Sequence, residues 1–145
     1  MDQQSPPPRF DELCFKIGLA IIQAQKVQFS LAYYYGVYQI KNAQWTKEQA
    51  QASIDLYLTK PMGAIITEIE NKTSIDPVVL QRVKEFRNER NWLAHDFDQE
   101  SSAHLRVGLK IPEYIDRMDS IVSEAVEVMQ DLDHLGELLS PIPPA

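Results

Sequence analysis

From Phe10 onward, apolar side chains recur at positions 10, 13, 17, 20, 24, 27, 31, 34 and 38, in steps that alternate three and four. Such stepping holds all of them on one side of an α-helix and on no single face of a strand. The spacing predicts a helix over about residues 10–40 with Phe10, Leu13, Ile17, Ala20, Ala24, Val27, Leu31, Tyr34 and Tyr38 along one seam. A seam of that length needs a partner, because a long helix with one apolar side is stable only when that side is covered. The end of the chain supplies one. Ile111, Ile115, Met118, Val122, Ala125, Met129 and Leu132 step by four and three, and Pro112 suits a first turn, so a second long helix is expected over 112–139.

Shorter pieces lie between the two. Thr46 followed by Gln49 reads as a capping box that opens a helix reaching about Thr59. Pro61 ends it, and Met62 to Asn71 forms another with Ile65 and Ile69 on one face. Asp76-Pro77 pairs an N-cap carboxylate with a proline at the first helical position, and the helix it opens is expected to run to about Phe97. No segment sustains strand alternation. The chain is therefore expected to be all-α, an up-and-down bundle of four to five helices with two long ones.

The 145 residues suit one domain, taken as 10–139, between proline-rich tails at 1–9 and 140–145. A formal charge of −7 argues against a protein that coats long nucleic acid, yet leaves room for a local basic site. The single cysteine, Cys14, excludes an intramolecular disulfide and a cysteine zinc cage, and is read as a small core residue. No signal-peptide pattern and no apolar run near the roughly 20 residues of a membrane span is present, so a cytoplasmic chain with no membrane partner is expected. Neither HxxxH nor ExxH nor an Asp cluster occurs at ligand spacing, and no metal or other cofactor is expected.

The helix from Pro77 carries the chemistry. At 100° per residue, Val79, Val83, Phe86, Leu93 and Phe97 fall close to one line, and Arg90 falls on the same line. A guanidinium in an apolar stripe is expensive unless something pairs with it. Either it makes a structural ion pair inside the bundle, with Glu12, Glu68 or Glu70 as candidates, or it is kept for a phosphate or a partner subunit. Arg87, Asn91 and His95 follow at i, i+4 and i+8 along one neighbouring side. Asn88 and Trp92 flank them on the expected solvent side, where an indole offers a surface for stacking a base or a second subunit. His104 and His134 lack such neighbours and are read as solvated.

In order, Arg90-Asn91-Trp92-Leu93-Ala94-His95 reads R-N-x-x-A-H, which resembles the signature of the HEPN superfamily: Arg, often a polar residue next, a short interval, then His. The resemblance implies a compact helical bundle with the motif on a late helix. It further implies a metal-independent endoribonuclease of toxin–antitoxin or antiviral defence type, acting on single-stranded RNA as a homodimer whose two motif faces meet, with a nucleotidyltransferase antitoxin as partner. Carried onto this chain, Arg90, Asn91 and His95 are the catalytic candidates, with Arg87, Asn88 and Trp92 as substrate-binding candidates. Some members keep the fold and lack the activity. The tyrosine-rich stretch Tyr33-Tyr34-Tyr35 with Tyr38 is compatible with such an inactive dimerisation or binding module.

The residue types suit the chemistry. Metal-free RNA cleavage needs a proton taken from a 2′-hydroxyl and another given to the leaving 5′-oxygen, and histidine exchanges protons near neutral pH. A planar arginine fork suits the charge that builds on phosphate oxygens. One feature of the spacing stands against this: five residues along an ideal helix turn His95 about 140° away from Arg90. Either the helix distorts near Ala94, or each residue meets its counterpart across a dimer interface.

Overall fold

A computed structural model of the chain describes residues 5–139. Among them the elements in order are α1 (Phe10–Ala43), α2 (Lys47–Leu58), α3 (Met62–Lys72), α4 (Pro77–Asn91), a π turn (Trp92–Asp96), α5 (Phe97–Arg106) and α6 (Ile111–Leu139), with no strand. The all-α bundle with two long helices is as expected. No described helix is long and apolar enough to cross a membrane.

Contacts between named residues give the directions. Lys16 Nζ meets Asp119 Oδ1 at 2.7 Å, and Tyr34 lines the same depression as Leu132, so α1 and α6 run parallel. Gln28 Nε2 donates to the carbonyls of Tyr57 and Lys60 near the end of α2, while Gly36 approaches Ala50 near its start, so α2 runs back. Tyr35 donates to Glu68 of α3, and the hydroxyls of Tyr38 and Ser74 lie 3.2 Å apart just beyond it. Arg82 and Arg117 then tie α4 to α6 through Asp131 and Glu89, antiparallel. The helices alternate up and down, and α5 continues α4 beyond the π turn.

The seam read from α1 is the core. Leu13, Ala20, Ala24, Val27, Leu31 and Tyr34 are buried, and Phe10, Ile17 and Tyr38 pack at its edge. Against them stand Ile115, Met118, Ile121, Ala125, Val128 and Leu132 of α6. Ala32, Tyr35 and Gly36 are buried as well, because α2 and α3 enclose the C-terminal half of α1 on a second side. At Gly36 a Cβ would stand 3.4 Å from that of Ala50, which shows how closely the two backbones approach. Trp45 and Tyr57 both meet the Tyr35 ring edge-on, fastening α2 at both ends.

Local signals behaved as their chemistry demands. Thr46 Oγ1 accepts from the Gln49 N–H while Gln49 Oε1 accepts from the Thr46 N–H, a complete capping box. Asp76 accepts from the Val78 N–H at 2.7 Å, with Pro77 opening α4.

Three expectations need correcting. The run from Pro77 does not end near Phe97: it passes through the π turn and continues to Arg106. Cys14 is exposed rather than in the core, since it lies on α1 beside the seam and not along it. His104 is half-buried, its Nδ1 3.1 Å from the Tyr114 hydroxyl, because the prolonged helix lays it against α6. His134 is exposed as expected. Residues 1–4 of the expected N-terminal tail and all of 140–145 lie outside the described residues; Pro7 is half-buried, and its carbonyl accepts from the Phe10 N–H.

Met118, fully buried between α1 and α6, tests the packing. Met118→Ala is expected to destabilise the fold by about 2–5 kcal/mol, against less than about 0.5 kcal/mol for Val78→Ala in the exposed first turn of α4, both read by chemical denaturation.

Candidate functional site

On α4, Val83 and Phe86 turn into the core, and one further turn along the same side Arg90 emerges half-buried. Its Nη1 donates weakly to Asn91 Oδ1 at 3.4 Å, and Arg87 Nη2 makes a matching contact with Asn88 Oδ1, also at 3.4 Å. Among the described residues no carboxylate lies within 4.0 Å of either guanidinium. The structural ion pair is therefore not what holds Arg90: Glu12 pairs with Arg9, Glu68 with Lys72 and Glu70 with Lys84. Arg90 instead borders a cleft of about 250 Å³ in which Ile21, Gln25 and Gln28 of α1 face Arg90, Leu93 and Ala94.

Beyond Asn91 the helix widens. The Phe97 N–H donates to the Trp92 carbonyl, a five-residue step where an α-helix takes four. A π turn inserts one residue into the ladder, so residues five apart take the places that residues four apart hold in an α-helix. For Trp92 and Phe97, which span the turn, this moves the angle about the axis from about 140° toward about 40°; Arg90 lies before the turn and His95 within it, so the widening acts on only part of their interval. The distortion expected near Ala94 as one way to reconcile the spacing is present. His95 stands exposed on the solvent side of the turn and is not part of the cleft lining.

Trp92 is not the exposed platform that its helical position suggested. It is buried, with the Arg117 guanidinium carbon 3.4 Å from its ring centre and the Phe97 ring edge-on at 5.3 Å. The reason lies in the same π turn, which brings Trp92 and Phe97, five apart, to one side where α6 covers both. Phe97 continues edge-on to Tyr114, and Arg117 is held over the indole by a two-pronged pairing with Glu89 at 2.8 and 3.1 Å. The indole Nε1 is buried without a hydrogen-bond partner among the described residues, so its role is packing rather than recognition.

Arg90 lines the cleft and touches Asn91, Arg87 and Asn88 pair outside its lining, His95 lies one turn on at the surface, and Trp92 belongs to the α6-facing side. Arg117 and Glu89 escaped the sequence reading, although the interval from Glu89 to Trp92 placed a carboxylate and an indole on one face where a single cation serves both. No protein-family model, no curated protein and no solved structure matches the chain.

The stack carries its own test. In a Trp45→Phe background, Arg117→Ala is expected to shift Trp92 emission to longer wavelength and to lower stability by about 1–2 kcal/mol, since the cation both covers the ring and pairs with Glu89. Unchanged emission would mean that Trp92 is shielded without Arg117.

Proposed function

We propose that the chain is a metal-independent endoribonuclease of HEPN type, with Arg90 holding the scissile phosphate and His95 exchanging the protons. The observation that carries this reading is an arginine at the lip of a cleft with no carboxylate partner among the described residues, followed on the same helix by a π turn that contains the motif histidine. π turns of a single round within α-helices frequently accompany functional sites, because they re-aim a side chain at a cost in backbone energy.

In the proposed reaction His95 takes the proton of a 2′-hydroxyl as that oxygen attacks the neighbouring phosphorus. The bond from phosphorus to the 5′-oxygen breaks, and the proton passes to the departing oxygen from His95 or from its counterpart in a second subunit. Arg90 offers two parallel N–H donors to the non-bridging oxygens where negative charge accumulates. Asn91, already in contact with Arg90, keeps the fork oriented, and Arg87 extends the positive edge along the strand. The products are a 2′,3′-cyclic phosphate and a 5′-hydroxyl, and DNA, which lacks the attacking hydroxyl, is inert. A toxin or defence role with an antitoxin partner follows from the same resemblance.

Purified protein incubated with mixed cellular RNA in EDTA is expected to leave cyclic phosphate ends. His95→Ala is expected to lower the rate by about 10²–10⁴-fold, and Arg90→Ala by about 10²-fold or more. RNA left intact by a folded wild type, or cut equally by wild type and His95→Ala, would move the reading to an inactive HEPN-like binding module.

A further inference from the structure

Six large apolar side chains of α1 stand in solvent; Ile21, at 45% exposure, lines the Arg90 cleft, and the other five are Phe15 at 67%, Ile22 at 51%, Phe29 at 48%, Tyr33 at 54% and Ile40 at 38%. Their steps of seven, seven, four and seven place them within about 40° of one line, nearly opposite the seam buried against α6. Helix α1 therefore carries, besides the sides packed on α6 and on α2 and α3, a further apolar line that no described helix buries. Phe29 and Tyr33 already stack, with ring centres 6.3 Å apart.

We propose that this stripe is the self-association surface of the protein, two copies packing α1 against α1 in antiparallel fashion with Phe15 of each near the partner's Ile40. The five side chains expose roughly 500 Å² per copy, a large share of the about 800 Å² that each partner contributes to a standard interface. Exposed apolar area on that scale along one line of a single helix is unusual for a monomer in water.

Charge selects the occupant and the direction. In a chain of net charge −7, α1 carries no carboxylate after Glu12, whereas Lys16, Lys26 and Lys41 follow it. A second copy therefore meets no acidic repulsion along the stripe. Antiparallel pairing sets the Arg9–Glu12 pair near the partner's Lys41 on the same flank, whereas parallel pairing would set each lysine of α1 at the level of its own counterpart. The midpoint of the stripe falls between Lys26 and Phe29, so the Lys26 ammonium comes over the partner's Phe29 ring.

The pairing also places the clefts. Ile21, Gln25 and Gln28 border the Arg90 cleft on one flank of the stripe, at the level of its midpoint. A two-fold axis perpendicular to both helices keeps that flank on the same side in both copies. The two clefts then open side by side across the axis, a consequence that matters for RNA only if the nuclease reading holds; the pairing itself does not rest on it.

Light scattering and sedimentation at tens of micromolar are expected to give twice the 16.6 kDa chain mass for the wild type. Phe29→Glu and, separately, Ile22→Glu are expected to raise the dissociation constant at least about tenfold while helix content is unchanged. Spin labels on the single, exposed Cys14 are expected to lie roughly 40 Å apart in the antiparallel pair. A wild type of single-chain mass, a dimer indifferent to both substitutions, or labels closer than about 20 Å would each overturn the proposal. Cleavage of RNA is no part of the readout, so an inactive protein leaves this inference to stand or fall on mass and distance.

Discussion

Parallel packing of α1 on α6 is the constraint from which the remaining arrangement follows. Leu13, Ala20, Val27 and Leu31 lose all contact with water against Met118, Ile121, Ala125 and Leu132. Each larger aliphatic side chain so buried contributes about 1.5–3 kcal/mol. Two parallel helices cannot be joined by a short loop, because the chain leaves one at the end opposite to where it must enter the other. The return is made by α2, α3 and α4 in alternating directions, and the sides they cover on α1 are those the seam leaves open near its C-terminal half. The N-terminal half receives no such cover, and the exposed stripe reaches its highest exposure there, at Phe15.

Placed between α3 and α6, α4 has to satisfy two neighbours with one helix. Val83 and Phe86 belong to the core, whereas Glu89, Trp92 and Phe97 are claimed by α6 through Arg117 and Tyr114. On an ideal helix Trp92 and Phe97 would point about 140° apart and could not both reach α6. The π turn resolves this conflict by inserting a residue, and the T-shaped ring contacts are the return on its backbone cost. His95 lies inside the same turn, so its placement at the surface is set by a distortion that core packing requires. Core packing and the position of His95 here share one local distortion.

The helices and the core seams were legible because they rest on periodicity and on local chemistry: the three-four stepping of α1 and α6, the Thr46–Gln49 box and Asp76-Pro77 are all complete within a few residues. Arg90 as the odd member of an apolar line was legible for the same reason. Trp92, Cys14 and His104 were not. Their surroundings depend on where a distant helix lands, and for Trp92 also on one inserted residue that no propensity scale encodes. The second apolar side of α1 was present in the sequence as Phe15, Ile22, Phe29, Tyr33 and Ile40. It was hidden by the seam, since a helix apolar on two opposite sides has little net amphipathicity to reveal either.

Arg90 brings the two kinds of demand together. A guanidinium carries five N–H donors, and the contact with Asn91 at 3.4 Å engages one of them weakly. Half-buried at the edge of the core, it loses hydration without gaining a carboxylate among the described residues, so at this position an aliphatic side chain of similar volume would hold the fold at least as well. What the aliphatic chain would lack is a fork of donors at the edge of a cleft whose other wall, Ile21, Ala24, Gln25 and Gln28, carries no charge. A doubly oxygenated anion entering that cleft would meet donors already partly stripped of water and held by the rotamer that core packing allows. The interaction would then be stronger than at an open surface, because less solvent has to be displaced and the field is less screened. The unmet valence that makes Arg90 a poor structural residue is the same property that would make it an effective phosphate ligand.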